Sequence, residues 1–306
     1  MTEPHASQSR WSDLERPPLN VRELRRGLVL PGGLWTSLDV VAETGSTNSD
    51  LAARAAGGAA EGAVLIAEEQ TAGRGRLDRR WSAPARSGLF FSVLLRPGPD
   101  VPVERYGWLP LLAGVAVATG LSRAAGVDTS LKWPNDLLVT VDGEERKAGG
   151  ILADRAVLGT GPGPGPGAAV QAAGPGAGGD AVVVGIGLNV SLKASELPVP
   201  TAGSLALANA VSLDRDTLLR GVLRSLERWY GEWRTAGGDP GLSGLQEAYV
   251  AQCATLGRTV RAELPGGREL LGEAVAVDVD GRLVLVTGDG VRHAVGAGDV
   301  VHARAV

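Results

Sequence analysis

Cysteine is almost missing from this chain. Cys253 is the one cysteine, so no disulfide can close within the chain, which fits a reducing compartment rather than a cross-linked secreted scaffold. Histidine is nearly as scarce: His5, His293 and His302 are too few to combine with that cysteine into a zinc-ligand spacing. No G-x-S-x-G segment offers an elbow for a serine nucleophile. Positive charge is not in excess either, with 30 Lys and Arg against 34 Asp and Glu and a formal net charge of −4. A general nucleic-acid binder needs a basic surface to displace counterions from phosphates, so no DNA partner is expected. Residues 109–121, the longest apolar stretch, are too short and too interrupted by glycine to span a bilayer. Residues 1–18 are polar and carry no signal-peptide core. A soluble, cytoplasmic protein is therefore expected, with chemistry resting on Arg, Lys, Asp, Asn and backbone N–H groups. That inventory suits phosphate handling more than acyl hydrolysis.

At 306 residues the chain can form one large and one small domain. Residues 1–18 read as a disordered tail. Residues 19–28 form a short helix with Asn20 as cap, and no room remains before Leu38 for a three-helix DNA-reading domain. Strands are expected at 38–42, 63–68, 89–95, 137–141, 148–157 and 182–190. A helix capped by Ser46 or Thr47 follows the first strand, and an apolar helix spans 106–125. Residues 159–179 are low-complexity Gly, Pro and Ala, read as an overlong surface loop. Leu218, Leu219, Val222, Leu223, Leu226, Trp229, Tyr230 and Trp233 recur at helical spacing, the signature of a core-packing helix. A second helix covers 245–253. From Leu256 the pattern turns to short strands separated by Gly-containing turns, a small all-β unit over 256–306. The boundary is placed near Thr255, with residues 19–255 forming the larger domain.

Four segments carry candidate chemistry. In residues 70–81, Gly73 and Gly75 permit close backbone approach, while Arg74, Arg76, Arg79 and Arg80 supply guanidinium groups that can fold over an anion. A solvated surface turn is the competing explanation. The segment is neither a Walker loop nor a dinucleotide fingerprint. Lys132-Trp133-Pro134-Asn135-Asp136 sets an amide and a carboxylate beside a stiff turn, or is simply a self-satisfied strand-end turn. Lys147, followed by Gly149 and Gly150, can reach into a site lined by bare backbone, although a lone exposed lysine is the commoner arrangement. Gly185 and Gly187 in a buried strand ending at Asn189 suggest that something packs closely on that backbone.

Taken together, and with Thr44-Gly45-Ser46-Thr47-Asn48 ahead of them, these segments occur in the order seen in biotin–protein ligases, which the chain resembles strongly over residues 38–190. The resemblance implies an α+β fold: a catalytic domain with a mixed or antiparallel sheet, akin to class II aminoacyl-tRNA synthetases, followed by a small SH3-like β-barrel. It implies a ligase that joins biotin to AMP and then to a lysine of a biotin carboxyl carrier protein domain. ATP and biotin would be substrates and Mg²⁺ would accompany ATP, with no metal held by protein side chains. The protein would be a monomer or homodimer with no membrane partner. By likeness, Ser46, Thr47, Asn48 and Gln70 face biotin's ureido ring. Arg74, Gly75, Arg76, Lys147, Gly149, Gly150, Gly185 and Gly187 complete the biotin site. Arg76, Arg79, Trp81, Asn135 and Asn189 match nucleotide-site positions, and Lys147, Arg74 and Asp136 match the catalytic groups, Asp136 near the incoming lysine. The chain departs from the family at Leu77-Asp78, where a glycine commonly stands in the loop. A lipoate or octanoate ligase, a biotin-sensing regulator and a catalytically silent binding module are the rival readings.

Overall fold

The structure, a computed structural model, describes residues 15–76, 79–156, 180–264, 268–296 and 299–302. The 159–179 loop and Leu77-Asp78 lie outside them. The first helix, α1 (Val21–Leu28), begins as expected, with Asn20 Oδ1 accepting from Glu23 N at 3.2 Å. Residues 15–18 of the expected tail are held in place. Arg16 pairs with Glu196 at 2.5 Å, and the Pro17 carbonyl accepts from Arg215. That same arginine forms a buried pair with Glu68 at 2.6 Å.

A seven-stranded sheet forms the larger layer. Its strands are β1 (Ser37–Val41), β2 (Ala63–Ala67), β5 (Gly88–Leu95), β6 (Thr129–Lys132), β7 (Asp136–Val141), β8 (Glu144–Ala156) and β9 (Ala181–Asn189), ordered β1-β2-β5-β9-β8-β7-β6. Only β1 and β2 run parallel; the crossover that a parallel pair requires contains α2 (Thr47–Ala56). Strand β8 starts at Glu144, earlier than residue 148 as expected. The reason is the tight turn at Asp142 and Gly143, where φ is 53° and 80°. A turn with both central residues at positive φ closes a two-residue hairpin, so Val141 pairs Glu144 directly.

One face of this sheet carries the main core. It is covered by α3 (Trp108–Ala125) and α4 (Arg215–Thr235), whose apolar residues from Leu218 to Trp233 are buried as their spacing required. The two helices cross closely at Gly120, where a Cβ would stand 2.8 Å from Val222 Cα. The helix that holds residues 109–121 is longer than that apolar stretch suggested. Val103–Ala125 is in fact long and apolar enough, by length and composition, to cross a membrane. What distinguishes it is burial: 72% of its apolar window lies inside the protein.

After α5 (Leu245–Gln252) comes a second, wholly antiparallel sheet of β10 (Thr259–Leu264), β11 (Arg268–Val277), β12 (Leu283–Val286), β13 (Arg292–Val295) and β14 (Asp299–His302), ordered β13-β12-β11-β10-β14. Its turn at residues 278–281 docks on the larger layer. Trp108 Nε1 donates to Val279 O and Trp133 Nε1 to Gly281 O, both at 3.0 Å. Trp133 is 2% exposed, so Trp133→Phe leaves the Gly281 carbonyl desolvated without its donor. We expect a loss of about 1–3 kcal/mol, seen as a lower melting temperature of the whole chain. An unchanged melt would show that this bond does not hold the second sheet.

Candidate active site

The opposite face of the seven-stranded sheet is partly covered by α2, and beside that helix lies a cleft of about 140 Å³. Its floor is bare backbone. Gly185 on β9 pairs Leu152 on β8, and Gly187 pairs Gly150, so these glycines share a face. Side chains from elsewhere lie where their Cβ atoms would be. A Cβ on Gly185 would collide with the Asn48 amide, and one on Gly187 would meet the Trp81 indole at 2.9 Å. Strand glycines here mark close approach, as expected.

One end of the cleft is a wall of neutral polar groups at the start of α2. Ser46 occupies the N-cap position, but its side chain makes no capping bond. Instead Gln70 Oε1 accepts from Thr47 N at 2.9 Å and from Thr47 Oγ1 at 3.2 Å. A distant side chain thus satisfies one orphan donor at this helix start, while the hydroxyl expected to cap the turn makes no such bond. Gln70 Nε2 keeps its two N–H groups with no partner among the described residues. Asn48 is held on three sides: Nδ2 donates to Leu152 O (3.2 Å) and to Asp154 Oδ2 (3.0 Å), while Oδ1 accepts from Ser92 Oγ at 2.6 Å. With both donors used, the second lone pair of Oδ1 is what Asn48 can offer a ligand.

The other end is cationic. Lys147 and four arginines (Arg74, Arg76, Arg79 and Arg80) line the cleft, and Asp136 is the one carboxylate among the described lining residues. The basic segment is not a bare loop. Strand β3 (Gly73–Arg74) pairs β4 (Arg80–Trp81) in a small clasp, closed by Gly75 N donating to Arg79 O at 2.7 Å. Lys147 reaches the cleft through a bulge. Leu137 pairs Gly149 and Leu138 pairs Lys147, skipping Ala148. One extra residue shifts the alternation of faces, so Lys147 joins Gly150 on the site side, and a Cβ on Gly150 would stand 3.6 Å from Lys147 Nζ. Lys147 Nζ lies 2.5 Å from Asp136 Oδ1 and 5.9 Å from the Trp81 ring centroid.

Asp136 opens β7 and Asn135 precedes it, after the Trp133–Pro134 turn, which is anchored from behind by Trp133 N donating to Thr255 Oγ1 at 3.0 Å. Asn135 Nδ2 donates to Ile151 O at 3.1 Å. Most of the site residues expected from sequence thus come together in one cleft. Two do not line it: Gly149 packs within the sheet, and Asn189 turns its amide to Gly203 O at 2.9 Å. Trp81 lies across the glycine floor beside Lys147, its Nε1 buried and without a partner among the described residues. Behind the lining residues the fold also sets Ser92 and Asp154, which sequence reasoning did not single out. Ser92 left a signal, being a hydroxyl in the otherwise apolar run of β5, fully buried. Asp154 left none.

Two family models match this chain: the biotin/lipoate A/B protein ligase family over residues 44–160, and the biotin protein ligase C-terminal domain over residues 255–303. Among proteins of known function, the biotin–[acetyl-CoA-carboxylase] ligase of Mycobacterium tuberculosis is 44% identical over 300 residues, covering 95% of this chain and 98% of that protein. The bifunctional ligase/repressor BirA of Bacillus subtilis is 32% identical over 254 residues, covering 83% of this chain and 70% of that one. Among solved structures, the biotin protein ligase of Aquifex aeolicus in complex with biotin and ATP superposes with a TM-score of 0.65 at 24% identity, covering 89% of this chain and all of that one.

Proposed function

This chain belongs to the biotin protein ligase family, and from that premise we propose that it joins biotin to AMP using ATP and passes the biotinyl group to a lysine of a biotin carboxyl carrier protein domain. The observation that carries the reading is the composition of the neutral wall. A ureido group is a carbonyl between two N–H groups. The wall offers the Gln70 Nε2 and Ser46 hydroxyl donors to such a carbonyl and the fixed Asn48 Oδ1 acceptor to an N–H. A lipoyl or octanoyl tail would leave the Gln70 Nε2 and Ser46 hydroxyl donors without the carbonyl they could meet, a penalty of about 1–3 kcal/mol. The glycines of β8 and β9 let Asn48, Trp81 and Lys147 lie close against the sheet, which holds these groups at the ligand's edge.

The chemistry follows from the charges. A carboxylate and an amine do not condense at neutral pH, so the acid is first made an anhydride. The biotin carboxylate oxygen attacks the α-phosphorus of ATP and pyrophosphate leaves. Lys147 and the clasp arginines offset the negative charge that builds there, and preorganised cations act most strongly where charge develops. Lys147 is held by Asp136 at 2.5 Å; exchanging that carboxylate for an incoming phosphate oxygen keeps the ammonium paired throughout. Asp136, released, is then placed to orient the carrier lysine and accept its proton as the amine attacks the biotinyl carbonyl and AMP leaves. Mg²⁺ enters as part of the nucleotide substrate, since Mg²⁺ binds largely through phosphates and water. Trp81 supplies an apolar cover for the nucleotide base, and Arg76, Arg79 and Asn135 contact the nucleotide.

The finer points of this reading are a larger domain related to class II aminoacyl-tRNA synthetases, an SH3-like character for the second sheet, a division near Thr255, a cytoplasmic location and a monomeric or homodimeric state. The test is biotin-dependent pyrophosphate release by the purified chain, followed by avidin blotting of a carrier domain. We expect both signals with biotin and neither with lipoate or octanoate. Release driven by lipoate alone would overturn the assignment.

A further inference from the structure

Asp154 takes no part in the chemistry above and does not line the cleft, yet it bonds two residues that do. Its Oδ2 accepts from Asn48 Nδ2 at 3.0 Å and faces an Arg74 guanidinium nitrogen at 3.4 Å. Asn48 belongs to the neutral wall on α2, whereas Arg74 belongs to the β3–β4 clasp. One carboxylate oxygen therefore ties the wall to the clasp at the ureido end of the cleft. Asp154 can do this because it lies on β8 two residues beyond Leu152, on the face that carries Gly150 and Gly185.

Each of the two contacts has a separate consequence. An amide can rotate so that its oxygen and nitrogen exchange places, and only its partners decide which way it points. With Nδ2 drawn to a carboxylate and to Leu152 O, Asn48 must present Oδ1 to Ser92 and to the cleft. Arg74 is 47% exposed and has Asp154 as its ion-pair partner, so this contact restrains a cationic clasp whose own strands are only two residues long. Charge-assisted bonds are the stronger ones, and both of these depend on the Asp154 charge.

We propose that Asp154 is a positioning residue for ligation, acting through Asn48 and Arg74. It fixes the acceptor that meets the ureido N–H, and it latches the clasp over the acid and its adenylate until the carrier arrives. The inference rests on the biotin-ligase reading and deepens it, because it assigns retention of the adenylate to a contact outside the cleft.

The experiment compares wild type, Asp154→Asn, Asp154→Glu, Arg74→Gln and the Arg74→Gln/Asp154→Asn pair. Two quantities are measured: biotin KM and kcat from pyrophosphate exchange, and the escape rate of preformed radiolabelled biotinyl-AMP by rapid filtration. For Asp154→Asn we expect biotin KM to rise more than kcat falls, and the adenylate to escape about five- to tenfold faster. Asp154→Glu should recover most of the retention, since it restores the charge. Arg74→Gln, a change at an exposed position that does not threaten folding, should leak to a similar extent, and the double variant no faster than either single one. Unchanged escape in Asp154→Asn and Arg74→Gln, or effects that multiply in the pair, would overturn the latch. A wild-type chain with no biotin-dependent exchange would instead overturn the functional reading, and this inference with it.

Discussion

Replacing Lys147 by alanine is expected to slow biotinyl-adenylate formation by about a hundred- to a thousandfold, the usual cost of deleting one preorganised donor at a developing charge, while the fold persists. The side chain is 36% exposed and its partner Asp136 20% exposed. Their pairing is thus partly screened and worth no more than about 1 kcal/mol of stability. Rate and stability should therefore separate, which is the mark of a residue whose work is done in the transition state. Biotin binding, measured without ATP, should change far less than the rate, because the neutral wall is untouched. The checks are pyrophosphate exchange, calorimetric titration with biotin and a thermal melt on one preparation. A normal exchange rate would remove Lys147 from its proposed role.

The second large effect is expected from a single methyl group. In Gly185→Ala the added Cβ would coincide with the Asn48 amide. Strand β9 cannot retreat, since it is paired along its length to β5 on one side and β8 on the other. Asn48 must move, and in moving it leaves its bonds to Ser92, Leu152 and Asp154. Overpacking of this kind costs about 1–3 kcal/mol. Most of it should fall on ligand binding, because the displaced group is the fixed acceptor of the wall, so biotin KM should rise roughly ten- to a hundredfold. Gly143→Ala, at a surface turn with open space around it, is the control for a general glycine effect. It should affect stability and leave biotin KM near wild type. Equal KM values in Gly185→Ala and wild type would mean that the ligand does not use Asn48.

The contrast between Lys147 and Ser46 shows what one dimension can and cannot carry. Apolar periodicity placed α4 and the buried strands, because period and burial are both local properties of a chain. The glycines at 185 and 187 announced close packing for an equally local reason, the absence of a side chain. The N-cap of α2 was foreseen in position and missed in chemistry. The hydroxyl of Ser46 makes no cap bond, and the N–H of Thr47 is taken by Gln70, twenty-three residues further on. Asn189 stood at the tip of a glycine-rich strand beside the site, but Gly203, reached only by the return of the chain, takes its amide. Capping and amide pairing are settled by whichever partner the fold brings nearest, and sequence distance does not rank the candidates.

By itself the sequence determined the kind of chemistry available: no paired cysteine, few histidines, a concentration of arginine beside glycine, and a lysine followed by two glycines at 147–150. Those are matters of inventory and order, and each persists in the unfolded chain. Tertiary structure decided where the charges point. The bulge that skips Ala148 turns Lys147 to the site face, and the pairing of β3 with β4 makes the basic run a clasp. The approach of β8 to α2 sets Asp154 between Asn48 and Arg74. Side-chain direction in a sheet changes with a shift of one residue in pairing, and pairing is made between segments far apart in the chain.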